Sequence, residues 1–232
     1  MSIGDAEIKT QERVIRFFKD PEILGYQYLG NLSDYQNKNI KEDRLRQYLR
    51  LKGYADKLID AAVTRLQQEA GNLSRGVYDT NKTVYSRLKY GIPISESPEK
   101  PPVTVQLIDE ENPLNNDFAI AEEVKVVEQS EKRPDLVVYL NGIAVAVIEL
   151  KRSSISVSEG IRQNLTNQKN SFIQGFFTTM QFCMAGNESE GLRYGTLLTG
   201  EKFYMEWKDD GFKEHEEERD PVDVRISKTC EG

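Results

Sequence analysis

The sequence predicts an α/β (α+β) chain in which a helical block, part of it an added helical lobe, precedes a strand-rich half. Three observations predict it. Apolar residues recur at helical spacing between residues 5 and 90; the texture turns to strand-like runs after a Pro- and Ser-rich break at 92–102; and Asn141-Gly142 joins two apolar segments.

Residues 5–19 (DAEIKTQERVIRFFK) place Ile8, Val14, Ile15, Phe17 and Phe18 at helical spacing, and Pro21 closes the segment. GYQYLGNLSDYQN follows as a short strand and loop. Between 41 and 90 three further helical patterns are punctuated by Gly53, Gly71 and Gly91, outlining a helical lobe at about 38–92. After the break, VTVQLID (103–109) and DFAIAEEVKVV (117–127) read as strands. RPDLVVYL and IAVAVIELK form a hairpin, because Asn-Gly supplies the positive φ values of a tight turn. A polar helix at 158–170, a buried strand in FFTTMQFCMA (176–185) and a closing pair of strands in RYGTLLTGEKFYMEWK complete the pattern. One domain is expected over 1–210, its core being helix 5–19 plus about 101–210, with a charged tail or linker at 211–232.

Composition narrows the function. At 232 residues and 38% apolar content the chain can bury one sizeable core. No stretch approaches the roughly 18 apolar residues of a membrane span, and MSIGDAEIKTQE has no signal-peptide centre. A cytoplasmic protein with no membrane partner is expected. Cys183 and Cys230 lack CxxC spacing and read as free thiols. The single histidine, His215, sits in the charged run KEHEEERD, which argues against Ser-His-Asp and Cys-His hydrolases and His-ligated metal sites. A net charge of −7 argues against a protein that coats nucleic acid by bulk electrostatics. A local strip of Lys132, Arg133, Lys151, Arg152, Arg162 and Lys169 is one reading of the basic residues; ordinary solvated charge is the other.

The chemistry concentrates at the end of one strand. IAVAVIEL is apolar on both alternating faces until Glu149, as in a strand buried on both sides, so a charge there needs a reason. Glu149 and Lys151 emerge on the same face, and Asp135 opens the partner strand after Pro134. A structural ion cluster is one explanation. The functional one has Asp135 and Glu149 bind Mg²⁺, a hard cation satisfied by one or two carboxylates plus water and phosphate oxygens. Lys151 then orients the attacking water and offsets charge on the phosphate. Parity imposes a condition. With a strict two-residue Asn141-Gly142 loop, Asp135 falls opposite Ile148 and faces away from Glu149. A three-residue turn or one β-bulge restores the shared face.

Pro134-Asp135 with Glu149-Leu150-Lys151 beginning fourteen positions after the aspartate is similar to the PD-(D/E)xK nuclease signature. The surrounding NDFAIAEEVKVV and RPDLVVYLNGIAVAVIELKR resemble the N-terminal nuclease region of the restriction (R) subunit of type I restriction-modification enzymes. RYGTLLTGEKFYMEWK resembles the end of that region, so the likeness covers about 1–210. The resemblance implies a mixed central sheet flanked by helices and a Mg²⁺-dependent type I site-specific deoxyribonuclease, with Mn²⁺ as a substitute ion. It carries a metal-proximal glutamate on the first helix over to Glu12, for which a solvated helix face is the alternative. A Gln-x-x-x-Tyr motif on the helix after the lysine maps to Gln163, with Asn167 at the tyrosine position; both also read as helix surface. Gln163, Arg152, Arg162 and Lys169 are the candidates for DNA contact or site support.

R subunits continue into an ATP-driven translocase, whose phosphate loop reads G-x-x-x-x-G-K-S/T. The nearest stretch, GTLLTGEK, puts Glu201 on the lysine position inside a segment that reads as strand, so ATP is expected only in a motor region absent here. Implied partners are DNA, the motor region of the same subunit, and the modification and specificity subunits, with S-adenosylmethionine belonging to the modification subunit. Two alternatives stand: a stand-alone repair or homing-type nuclease, and a catalytically decayed DNA-docking or assembly module.

Overall fold

A computed structural model of the chain describes residues 3–95, 97, 99 and 101–208. Helix α1 (Ile3–Lys19) buries Val14, Ile15, Phe17 and Phe18, and the short strand β1 (Gln27–Asn31) follows it. Helices α2 (Glu42–Leu51), α3 (Asp56–Gly71) and α4 (Val77–Tyr90) build the lobe. Glu42, Asp43 and Asp56 sit in first turns, where a helix N-terminus favours negative charge. Leu45, Leu49, Ile59, Val63, Leu66, Val84 and Leu88 close the lobe's own core, which also takes in Ile143 from the central sheet.

Strands β2 (Ile92–Ile94) and β3 (Val103–Val105) pair antiparallel across the Pro-rich break. The strand expected to run to 109 stops at Val105. Beyond it Asn116 and Asn141 side chains take the backbone partners a ladder would have used: the Asp109 N–H donates to Asn116 Oδ1 at 2.9 Å and the Leu107 carbonyl accepts from Asn141 Nδ2 at 2.8 Å.

The remaining strands are β4 (Phe118–Glu122), β5 (Val126–Val127), β6 (Glu131–Lys132), β7 (Leu136–Leu140), β8 (Ile143–Leu150), β9 (Phe182–Asn187), β10 (Gly191–Gly195) and β11 (Met205–Glu206), with helix α5 (Val157–Asn167) after β8. Seven of the strands form a mixed sheet in the order β1-β4-β7-β8-β9-β10-β11. The pairs β1–β4 and β8–β9 are parallel and the others antiparallel. Helix α5 covers one face over Val137, Val147, Cys183 and Ala185, and α1 covers the other over Ile120, Leu136, Ile148 and Leu150. β8 is therefore buried on both sides, which explains its unbroken apolar run.

Four further expectations change. The run 117–127 is not one strand: Glu123 takes φ 49°, and Val126–Val127 pairs separately with Glu131–Lys132. The buried strand expected over 176–185 starts only at Phe182, because Gln174–Thr179 is a 3-10 turn that puts Phe176 and Phe177 into the core. Asn81 of α4 ties its end down by donating to the Thr178 and Met180 carbonyls. Short apolar runs fit either geometry, and packing arbitrates. Helix α5 ends at Asn167, short of residue 170, and the GTLLTGEK stretch is a loop and 3-10 turn between β10 and β11 rather than strand. Among the described residues no helix is long and apolar enough to cross a membrane. His215, Cys230 and the tail at 211–232 lie outside the described residues; Cys183 is free and buried.

Candidate active site

The β7–β8 hairpin decides which face carries the charges. Asn141 and Gly142 make a two-residue turn with φ of 52° and 82°, the left-handed pair a tight hairpin needs. A Cβ on Gly142 would stand 2.7 Å from the Lys41 carbonyl oxygen. This turn alone would aim Asp135 away from Glu149. The register, however, shifts between Val138, paired with Ala146, and Tyr139, paired with Ala144. Val145 is the extra residue of a bulge, as parity requires. Leu136 then pairs with Ile148, so Asp135, one residue before it, falls opposite Glu149 on the face covered by α5.

Strands β1, β4, β8 and β9 end, and β7 begins, at one edge of the sheet, and the charged residues gather there. The backbone N–H of Leu150 donates to Asp135 Oδ2 at 2.7 Å. Gln163 Nε2, on α5, donates to Glu149 Oε2 at 2.6 Å. Lys151 Nζ donates to the Leu150 carbonyl at 3.0 Å, and its charge acts on Glu149. Helix α5 comes this close because Gly160 has no side chain: a Cβ there would lie 2.9 Å from Ala185 Cβ and 3.5 Å from Glu149 Cβ.

Glu149 is fully buried. Burial pushes its carboxyl well above the usual range, the negative charge of Asp135 pushes further, and Lys151 opposes them. Its Oε1 finds no donor, an expensive condition for a buried polar atom. Two neighbouring carboxylates with one oxygen unmet are a hard oxygen donor set of the kind Mg²⁺ takes, and the residues present fit that ion. Among the described residues no set of three or more His, Cys, Asp or Glu side chains is arranged to hold a metal. Two carboxylates are what the side chains offer, and Mg²⁺ ordinarily keeps several waters besides.

Other expected residues are placed less uniformly. Glu12 is exposed on α1; its neighbour Gln11 is the residue that turns in, donating to Glu122 Oε2 at 3.0 Å and Glu123 Oε1 at 3.5 Å. The helix-surface reading of Gln163 and Asn167 does not hold. Gln163 is half-buried on Glu149, and Asn167 is buried in the core with its Oδ1 unpaired. Arg162 is held on the exposed side of α5 by Glu159 and Glu201. Arg152 is half-buried just past Lys151, and Lys169 is exposed beyond the end of α5 remote from Glu149. The six basic residues thus make no continuous strip: Arg133 pairs with Glu131, and Lys132 lies over the Phe172 ring.

Glu123 was not singled out by any motif. Its N–H donates to the Asp135 carbonyl at 2.9 Å, and its charge reaches Glu149. The signal available was an acidic pair, Glu122-Glu123, ending an apolar strand beside the one that Asp135 opens. Glu122 itself faces α1, where it accepts from the Tyr28 hydroxyl.

A sequence model of the family described as type I restriction enzyme R protein N terminus matches residues 7–203. A relative from Methanocaldococcus jannaschii, named putative type I restriction enzyme MjaIXP endonuclease subunit, is 34% identical over 96 residues. That match covers 38% of this chain and 9% of the relative, so the chain corresponds to a small part of the relative's length.

Proposed function

The chain belongs to the type I restriction enzyme R protein N-terminus family, and from that premise we propose that it is a Mg²⁺-dependent DNA-cleaving module. The whole subunit would join it to an ATP-driven motor and act with modification and specificity subunits on DNA. The observation that carries the reading is Glu149: a fully buried carboxylate facing Asp135, flanked by Lys151, with Oε1 unmet. A buried carboxyl oxygen with no donor is costly to keep in a purely structural role.

Asp135 and Glu149 would hold the ion. When bound, Mg²⁺ supplies Lewis-acid polarisation of the phosphate and lowers the pKa of the attacking water. Gln163 fixes one oxygen of Glu149 and the Leu150 N–H fixes one oxygen of Asp135, which holds both carboxylates in place for the ion. Lys151 keeps its ammonium at the same edge, where it stabilises negative charge developing on the phosphate and orients the water.

The test is supercoiled-plasmid nicking with Mn²⁺ alongside Mn²⁺ binding by calorimetry. Wild type is expected to bind Mn²⁺ and nick; Lys151→Ala to bind but not nick; Glu149→Ala to do neither. Equal Mn²⁺ affinity in wild type and Glu149→Ala, or undiminished nicking by Lys151→Ala, would overturn the assignment.

A further inference from the structure

Helix α4 buries Val77, Thr80, Val84 and Leu88. Its opposite side carries Tyr78, Lys82, Tyr85 and Lys89, all exposed, with Tyr78 and Tyr85 60% and 47% accessible. At 100° per residue these four fall within an arc of about 60° and span about 16 Å of helix. Exposed Arg75 precedes the helix and exposed Tyr90 ends it. The one carboxylate of α4, Asp79, is set about 90° round from the stripe's centre.

Arg44, Arg46, Arg50, Lys52, Arg65, Lys125, Arg162 and Arg193, and Arg87 on another side of α4, are each neutralised by a carboxylate; the cations of this stripe are not. Among the described residues the side chains of Arg75, Lys82 and Lys89 form no ion pair, and Lys89 Nζ lies 5.6 Å from the centre of the Tyr90 ring. Three unpaired cations grouped around aligned tyrosines at one helix, in a chain of net charge −7, present a local surface complementary to a polyanion.

We propose that this face of α4 is a duplex-DNA contact surface that grips the phosphate backbone without reading sequence. Lys82, Lys89 and Arg75 pair with phosphates, and the hydroxyls of Tyr78 and Tyr85 donate to phosphate oxygens between them. The surface is separate from the catalytic edge. Helix α4 docks through Asn81 on the segment leading into β9, whereas Glu149 sits where β8 ends. It holds DNA away from the scissile bond, and the proposal rests on the DNA-cleaving reading.

The experiment is fluorescence anisotropy of a labelled 30-base-pair duplex with the full 232-residue chain across a salt series, using two unrelated sequences. Lys82→Ala/Lys89→Ala is expected to weaken binding to both duplexes about tenfold at low salt and to reduce the slope of log K against log salt by about 1.8, or 0.9 for each phosphate left unneutralised. Lys57→Ala/Lys202→Ala removes the same charge from exposed positions elsewhere and should leave the slope unchanged. Both pairs are solvent-facing, and circular dichroism confirms the fold. If wild type and the α4 variant bind with the same slope, the α4 surface is refuted while the DNA reading stands. If wild type binds neither duplex, both fall. Equal weakening in the control pair reduces the effect to bulk charge and also refutes the surface.

Discussion

Burying Glu149 beside Asp135 carries an electrostatic cost, and that cost has a measurable sign. Its carboxyl is raised by burial and then by Asp135, so the native state keeps a proton that the unfolded chain has already released. Stability therefore falls as pH rises from the ordinary carboxylate range through the raised value. Glu149→Gln removes the charge and keeps an acceptor for Gln163. With chelator present at pH 8 it should stabilise the protein by about 1–3 kcal/mol, the size of an unmet buried polar group. Thermal melts at pH 8 and pH 4 would show the gap closing at the acid end; a lower Tm for the variant at pH 8 would contradict the account. Lys151 and Asp135 were legible in the sequence because a charge beside a doubly buried strand is conspicuous. Gln11 was not, because its position does not differ locally from an ordinary polar residue until helix and strand are brought together, and Glu123 left only the weak signal of an acidic pair ending an apolar strand.

Two elements set the site's geometry, and each has a glycine that tests it. Gly142 combines φ 82° with a 2.7 Å approach of its absent Cβ to a backbone oxygen. Gly142→Ala should cost about 1–3 kcal/mol through left-handed strain and displacement of the 41–45 segment; denaturant melts would show it, and an unchanged midpoint would refute the tight-turn argument. Gly160 lets α5 rest on Ala185 and brings Gln163 to Glu149. Gly160→Ala should destabilise by about 1–3 kcal/mol by overpacking and weaken Mn²⁺ binding in the folded protein. Unaltered Mn²⁺ affinity at a lowered Tm would separate the helix's packing role from the site. The hairpin was readable from Asn-Gly and alternation, and its bulge from the demand that two carboxylates share a face. The 3-10 turn at Gln174–Thr179 was not readable, since Phe176 and Phe177 fit a buried strand equally well until Asn81 claims the Thr178 and Met180 carbonyls.

At the scale of the whole molecule, the lobe and the sheet share side chains rather than merely touching. Ile143 opens β8 yet packs in the lobe's core, and Ile40 bridges to it. Arg44 on α2 pairs with Asp117, and Asn39 donates to Thr178 Oγ1. The described chain should therefore unfold in one cooperative transition, with calorimetric and van't Hoff enthalpies equal. A separate low-temperature transition that disappears on deleting α2–α4 would show an independent lobe. The net charge of −7 has its own consequence: DNA affinity of the isolated chain should be weak and should fall steeply with salt.

The sequence by itself determined the helix-then-strand order, the doubly buried strand IAVAVIEL, the Asn141-Gly142 turn and the three charged residues at the strand ends. All of these are written in spacing of two or about four residues, which a local reading resolves. Tertiary structure decided the rest. It located the extra residue at Val145, turned Gln11 rather than Glu12 toward the acidic pair, buried Asn167, tied Arg162 to Glu159 and Glu201, and left one face of α4 positive. Each of these depends on which surfaces meet across long stretches of chain, and that is settled by packing and charge pairing between elements rather than by the period of any one of them.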